Sequence, residues 1–272
     1  MRGMTFAGFH THPGFLLALM ASWATASAAP GAPIVECIDH VYLPADDARA
    51  LHTMLRDSLG LPEAWAFGSR GGGASGGISL GNVVLEFLER AGAPAGPVEG
   101  LALWPQGSAE DARRKLRAVG LGSGRPIRTQ PVDSPAGSGW ILMGLADFPE
   151  ANVFVCEYLD AANVRQGRER AAAVLAANSG GSLGVIRVRE IVIGARDTAT
   201  QFARWRHLAD RGGDESLVCF ARGPAVRIVP AERDAVLDLV VEVQDPARAS
   251  AVWPRALRHL PVRFVGPSPT GS

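Results

Sequence analysis

The sequence has no excess of charge, few cysteines and no apolar run long enough to cross a membrane. Its 27 basic and 27 acidic residues cancel, which argues against nucleic acid or an anionic membrane as a partner, because both attract a basic surface. A membrane span needs about 20 apolar residues, and the sequence contains no such stretch. The partner class that remains is a small molecule.

Cysteine is scarce and widely spaced. Cys37, Cys156 and Cys219 cannot form a closed set of disulfides because their number is odd, and no CxxC metal-binding spacing occurs. Each lies in or beside an apolar, strand-like run, so we expect buried free thiols that behave as small hydrophobic side chains. A single disulfide in an oxidising compartment is the alternative.

The N-terminus has the pattern of a signal peptide over residues 1–28. Arg2 precedes an apolar run at residues 15–21, and residues 26–28 (Ala-Ser-Ala) offer a cleavage site. The mature chain would then begin near Ala29 and be exported to the periplasm or the extracellular space. The alternative is a buried or disordered N-terminal segment.

An internal repeat dominates the rest of the chain. Residues 38–50 and 237–249 share one pattern, an apolar strand followed by an aspartate and the start of a helix. Four passes of strand, helix and further strands predict an α+β fold built from βαβββ units. The predicted divisions are a first pair of units at 36–160, a helix and linker at 161–182, a degenerate second pair at 183–265 and a tail at 266–272.

Three polar residues lie in strands that are otherwise apolar. His40 is in the first strand, and Glu86 and Glu157 are in the strands that close the first and second units. Polar groups in such strands cost free energy unless they are paired or bind a metal. If all three face one cavity, two uncompensated carboxylates repel each other, whereas a cation stabilises both.

Residues 39–41 (Asp-His-Val) and the two glutamate-bearing strands resemble the vicinal oxygen chelate superfamily, which includes glyoxalases, bleomycin-resistance proteins and extradiol dioxygenases. The resemblance covers nearly all of residues 36–265 and is sharpest in the first half. It implies that paired units form an eight-stranded cup, with metal ligands on the first and last strands of each unit. The implied metal ligands are His40, Glu86 and Glu157, and the fourth position, near Leu101 or Leu103, has no ligand.

Three functions are compatible with this resemblance. The first is a lyase, isomerase or dioxygenase that uses Mn, Fe, Zn or Ni, with Glu86 or Glu157 as the catalytic residue that moves a proton. The second is a metal-free protein of bleomycin-resistance type, whose cup binds an apolar or aromatic ligand while the acids meet a ligand cation or donor. The third is a structural protein without a site.

The second half is predicted to have a structural role. Glu190 takes the place of His40 in the third unit, and Leu239 takes it in the fourth. Ile228 is aligned with Glu86. No set of metal ligands is retained at these positions.

Overall fold

A computed structural model describes most of the chain, and no helix in the described part has the length and apolarity to cross a bilayer. The predicted signal peptide lies outside the described residues. Contacts group the described residues from Ala32 onwards into one unit. The described residues are 32–69, 73–93, 96–130, 139–209, 211–212, 216–258 and 260–267.

The first half consists of two βαβββ units, as predicted. The first unit contains β1 (Val35–Ala45), α1 (Ala48–Thr53, continued by a π-helical turn), β2 (Glu63–Ser69), β3 (Ala74–Ser79) and β4 (Val84–Glu89). The second contains β5 (Gly100–Pro105), α2 (Ala109–Ala118), β6 (Ile127–Thr129), β7 (Trp140–Gly144) and β8 (Asn152–Tyr158).

These strands form one eight-stranded sheet in the order β2-β3-β4-β1-β5-β8-β7-β6. The first strands of the two units, β1 and β5, pair antiparallel at its centre. Each is flanked by the parallel closing strand of its own unit, β4 or β8. The predicted fold, an α+β cup of paired βαβββ units, is therefore confirmed.

The second half follows α3 (Ala161–Ala177) and repeats the same topology with fewer strands. Its elements are β9 (Val185–Ala195), α4 (Thr198–Leu208), β10 (Arg211–Gly212), β11 (Leu217–Cys219), β12 (Ala225–Pro230), β13 (Ala235–Val243), α5 (Pro246–Val252) and β14 (Val262–Val265). The six-stranded order β10-β11-β12-β9-β13-β14 matches the first six strands of the other sheet. Among the described residues, the last unit contributes β13, α5, a short 3-10 helix (Arg255–Leu257) and β14.

The two faces of the eight-stranded sheet differ because side chains alternate along each strand. One face packs against α1 and α2 and is apolar, with residues such as Val41, Leu85, Leu101 and Val155 almost completely buried. Burial of a large aliphatic side chain stabilises the fold by about 1.5–3 kcal/mol. The other face, called here the α3 face, packs against α3 through β2, β3 and β8.

Side-chain hydrogen bonds join the two halves. The side-chain amide of Asn82, in the turn between β3 and β4, donates to the carbonyl of Val188 and accepts from its N–H, both at 2.8 Å. The buried carboxyl of Glu150 accepts from Trp205 Nε1 at 2.7 Å and from Gln201 Nε2 at 2.6 Å on α4. Burial raises the pKa of Glu150.

The three cysteines are free thiols, as predicted, and Cys37 and Cys156 are buried. Burial raises the pKa of Cys37 to about 12. The thiol of Cys37 therefore stays protonated and behaves as a small apolar group.

Candidate functional site

His40 and Glu86 meet on the α3 face. The parallel register of β1 and β4 pairs His40 with Val84 and Tyr42 with Glu86, so the two side chains lie on the same side of neighbouring strands. His40 Nε2 is 3.3 Å from Glu86 Oε2. Two of the three predicted site residues are therefore brought together.

Asp39 joins this pair because of a β-bulge. The register of β1 against β5 shifts between Ile38 and His40, and an extra residue in one strand disturbs the alternation of side chains. The ring nitrogen Nδ1 of His40 lies 2.8 Å from Asp39 Oδ2. An ionised carboxylate only accepts, so Nδ1 carries a proton and Nε2 is the nitrogen that faces Glu86.

The carboxylate of Asp39 is buried and has further partners on β8 and α3. Oδ2 accepts from the Tyr158 hydroxyl at 2.6 Å, and the Arg168 guanidinium donates to both oxygens at 3.2 and 3.1 Å. Burial alone would raise the pKa of Asp39, but the charge of Arg168 and the hydrogen bond from His40 hold it well below its usual range. Asp39 is therefore ionised and orients three donors.

Tyr158 stays protonated in this cluster. Burial, together with the charge of Asp39, raises the pKa of the Tyr158 hydroxyl well above its usual value. The hydroxyl therefore acts as a donor to Asp39.

Aromatic rings surround the cluster. The Arg168 guanidinium lies 4.5 Å from the centre of the Trp65 ring, close enough for a cation–π interaction. Gly77 permits this position, because a Cβ there would lie 2.6 Å from the Trp65 ring. The rings of Trp65 and Phe154 lie edge-on to His40, with centroids 5.8 and 6.0 Å away.

Glu157 does not join the site, which corrects the expectation that all three predicted residues face one cavity. The pairing of His40 with Ala102, and of Ala102 with Phe154, puts Phe154 and the residues two and four further along β8 on the α3 face. Glu157 lies between two of these residues along β8, so its side chain is on the opposite face and points towards α2. Its Oε2 accepts from the N–H of Ala109 at 2.7 Å. It caps that helix.

The donors present do not complete the metal site that the superfamily resemblance implies. Catalytic sites for zinc and for non-haem iron use three protein ligands, and the described residues contain no group of three or more His, Cys, Asp or Glu side chains that could hold an ion. His40 and Glu86 are two donors. Ala102, Phe154 and Cys156 occupy the matching face of β5 and β8, and Glu157 is on the other side.

Neighbours of the His40–Glu86 pair line two cavities, and the pair itself lines neither. One, of about 190 Å³, lies beside Asp39, Val84 and Arg168. The other is an open depression of about 710 Å³ lined by Asn152 and Phe154 together with the loop between β7 and β8. The smaller of the two is called here the inner cavity.

Sequence reasoning did not identify Asp39, Tyr158 or Arg168 as site residues. Asp39 precedes His40, but its orientation depends on a bulge. Tyr158 could have been found from the alternation along β8 once the register was known. For Arg168 no sequence signal exists, since its contact with Asp39 joins residues 129 positions apart.

No family model and no curated protein matches the chain. Among solved structures, a hypothetical protein from Staphylococcus aureus superimposes with a TM-score of 0.58 at 12% identity, covering 85% of this chain and 98% of that one. This similarity shows the fold alone.

Extradiol enzymes superimpose less well. Homoprotocatechuate 2,3-dioxygenase from Brevibacterium fuscum, in a variant structure, gives a TM-score of 0.47 at 11% identity over 82% of this chain and 61% of that one. The enzyme from Arthrobacter globiformis gives 0.46 at 13% identity over 82% and 68%.

Proposed function

We propose that the chain is a metal-free binding protein with a cup of the vicinal oxygen chelate type. Its ligand is a small apolar or aromatic molecule that presents a cation or a hydrogen-bond donor to Glu86. The observation that carries this proposal is the His40–Glu86 contact of 3.3 Å on the α3 face. The proposal corresponds to the second of the three functions compatible with the sequence.

Because of the orientation of the His40 ring, the Glu86 carboxylate is the acceptor that is available to a ligand. Asp39 binds the Nδ1 proton of His40, so Nε2 and the Glu86 carboxylate face each other as two acceptors unless a proton lies between them. A ligand donor or cation relieves the same repulsion. The Glu86 side chain is 18% exposed, whereas that of Asp39 is 4% exposed and already has three partners.

The surroundings suit such a ligand. Half-buried apolar and aromatic side chains lie on the same face as Glu86, and aromatic rings attract cations. The half-buried residues on this face include Tyr42, Leu88, Leu142 and Phe154.

A thermal-shift comparison tests the proposal. Benzylamine provides an aromatic cation, and benzyl alcohol provides a neutral analogue of similar shape. We expect benzylamine to raise the Tm of the wild-type protein more than benzyl alcohol does, because a ligand that binds only the folded state stabilises it. Glu86→Gln should abolish the difference between the two compounds.

Glu157→Gln is the matched control, because it makes the same change on the opposite face of the sheet. It should retain the response to benzylamine, even if its own Tm is lower. An equal loss of response in both variants would contradict the proposal.

Metal analysis separates this function from the metal-dependent alternative. We expect far less than one equivalent of Mn, Fe, Zn or Ni in protein purified from its natural host. Near one equivalent in the wild type, lost in His40→Ala, would instead support a metal-dependent enzyme.

A further inference from the structure

The inner cavity lies where the two halves meet, between the start of β1, helix α3 and the turn that joins β11 to β12. Its volume is about 190 Å³, below the roughly 300–1,000 Å³ of pockets for drug-sized ligands. The interior wall is largely apolar, and three arginines contribute to it. The apolar contributors include Ile38, Val83, Val84, Trp104 and Ala172, and the arginines are Arg165, Arg168 and Arg222.

The second half supplies Arg222 through a close approach of its backbone to β1. The N–H of Arg222 donates to the carbonyl of Glu36 at 3.4 Å. Gly223 follows with a φ of +82°, and a Cβ there would lie 3.3 Å from the carbonyl oxygen of Ile38. Glycine adopts this left-handed conformation without strain, so the turn lies close against β1 and brings the Arg222 side chain to the cavity.

The three guanidinium groups at the cavity have carboxylate partners or neighbours. Glu36 binds Arg165 through two bonds of 2.9 and 3.2 Å, and Arg222 Nη2 binds the same carboxylate at 2.5 Å. Arg168 binds Asp39. Glu169 also lines the cavity, so three carboxylates accompany the three guanidinium groups.

Arg222 is the arginine best placed to bind a ligand. Arg165 already makes a bidentate bond to Glu36 and lies 5.0 Å from the Trp104 ring centre. Arg168 uses two nitrogens on Asp39. Arg222 contacts Glu36 through Nη2, and its side chain is 43% exposed. Its fork of donors matches a carboxylate in geometry.

We infer that this cavity binds a small monocarboxylate with a short apolar chain. The carboxylate accepts hydrogen bonds from the Arg222 guanidinium, whose Nη2 also contacts Glu36. The apolar chain lies against Val83, Val84 and Trp104. This site is separate from the one proposed around Glu86, since neither His40 nor Glu86 lines the cavity.

Isothermal titration calorimetry with sodium butyrate tests the inference. The comparison ligands are sodium chloride at the same ionic strength and butyramide, which has the same chain length without the charge. We expect butyrate to bind with a stoichiometry near one, and butyramide and chloride to bind at least about tenfold more weakly. Equal binding of butyrate and butyramide, or no binding of butyrate above the chloride background, would overturn the inference.

Variants locate the site. Arg222→Gln should weaken butyrate binding at least about tenfold, because the charged, bidentate donor is lost. Arg263→Gln is the matched control: Arg263 lies on β14, at the opposite edge of the six-stranded sheet from the β11–β12 turn, pairs with Asp238 at 2.7 Å and is 52% exposed. It should leave binding unchanged. Unaltered binding in Arg222→Gln, or equal weakening in both variants, would show that Arg222 does not bind the carboxylate.

Arg222→Lys covers the case in which Arg222→Gln does not fold. Lysine keeps a positive charge for Glu36 but has no guanidinium fork. We expect this variant to fold and to bind butyrate at least about threefold more weakly than the wild type. Binding at wild-type strength in Arg222→Lys would contradict a bidentate contact.

Discussion

The two halves share a strand order but differ in the pair of residues at equivalent positions of their central strands. In the first half, β1 and β4 bring His40 and Glu86 together. In the second half, β9 pairs with β12 in the same register, and Glu190 binds Arg227 at 2.6 and 3.2 Å. The first half therefore has a histidine and a carboxylate at these positions, and the second half has an ion pair between a carboxylate and an arginine.

The register of the second half also corrects the prediction that Ile228 is aligned with Glu86. Val192 pairs with Arg227 as Tyr42 pairs with Glu86, so Arg227 rather than Ile228 occupies the position that corresponds to Glu86. At these positions of the second half, Glu190 and Arg227 therefore form an ion pair.

The largest predicted effect comes from the buried carboxylate of the first half. Asp39→Ala should reduce the free energy of unfolding by about 3–5 kcal/mol, because it leaves the Arg168 charge buried without its partner. Urea unfolding followed by circular dichroism measures this loss. A loss below about 1 kcal/mol would mean that Arg168 reaches water without Asp39.

The pH dependence of stability should follow from Asp39. Its pKa is lowered in the folded state by the charge of Arg168, against the opposing effect of burial. Its stabilising contribution is therefore present above the unfolded-state pKa of about 3.9 and is lost as the pH falls below that value. Unfolding between about pH 5 and pH 2 should be steeper in the wild type than in Asp39→Asn. Parallel curves would contradict this origin.

The equivalent acid of the second half should matter less. The hydrogen bond from Arg227 lowers the pKa of Glu190, but the Arg227 side chain is 31% exposed and can be solvated when its partner is lost. Glu190→Ala should therefore cost about 1 kcal/mol or less. If urea unfolding gives the same loss as for Asp39→Ala, the proposed contrast between the halves fails.

The smallest effect is expected at Glu86. Glu86→Gln keeps the shape of the side chain and replaces an acceptor with a donor for His40 Nε2. The free energy of unfolding should stay within about 0.5 kcal/mol of the wild type, or rise slightly. A loss above about 2 kcal/mol in chemical unfolding would indicate that the Glu86 charge stabilises the fold.

Local patterns predicted the elements well. Strand alternation, helix caps and the repeat predicted both units of the first sheet, the shortened fourth unit and the pairing of His40 with Glu86. These features depend on residues close in sequence or on a repeated frame. The Ser108 cap of α2, for example, forms with Asp111, three residues further on.

Register and long-range packing could not be predicted in the same way. Glu157 was matched to Glu86 by its place in a closing strand, but a shift of one residue turns a side chain to the opposite face. Arg168 was assigned to a linker helix because nothing in its neighbourhood points to Asp39. Its position depends on how α3 packs against the sheet.

The hydrogen bonds of Asn82 to Val188 join the two halves, and they should respond to acid and salt differently from the contacts of the candidate site. Its amide reproduces the donor and acceptor of a peptide group against Val188, and neither partner titrates or carries charge. Acid and salt therefore act on the contacts of Asp39 and Glu36 without weakening this one directly. Protonation in acid therefore removes the charged contacts of Asp39 and Glu36 but leaves the hydrogen-bonding groups of Asn82 and Val188 unchanged.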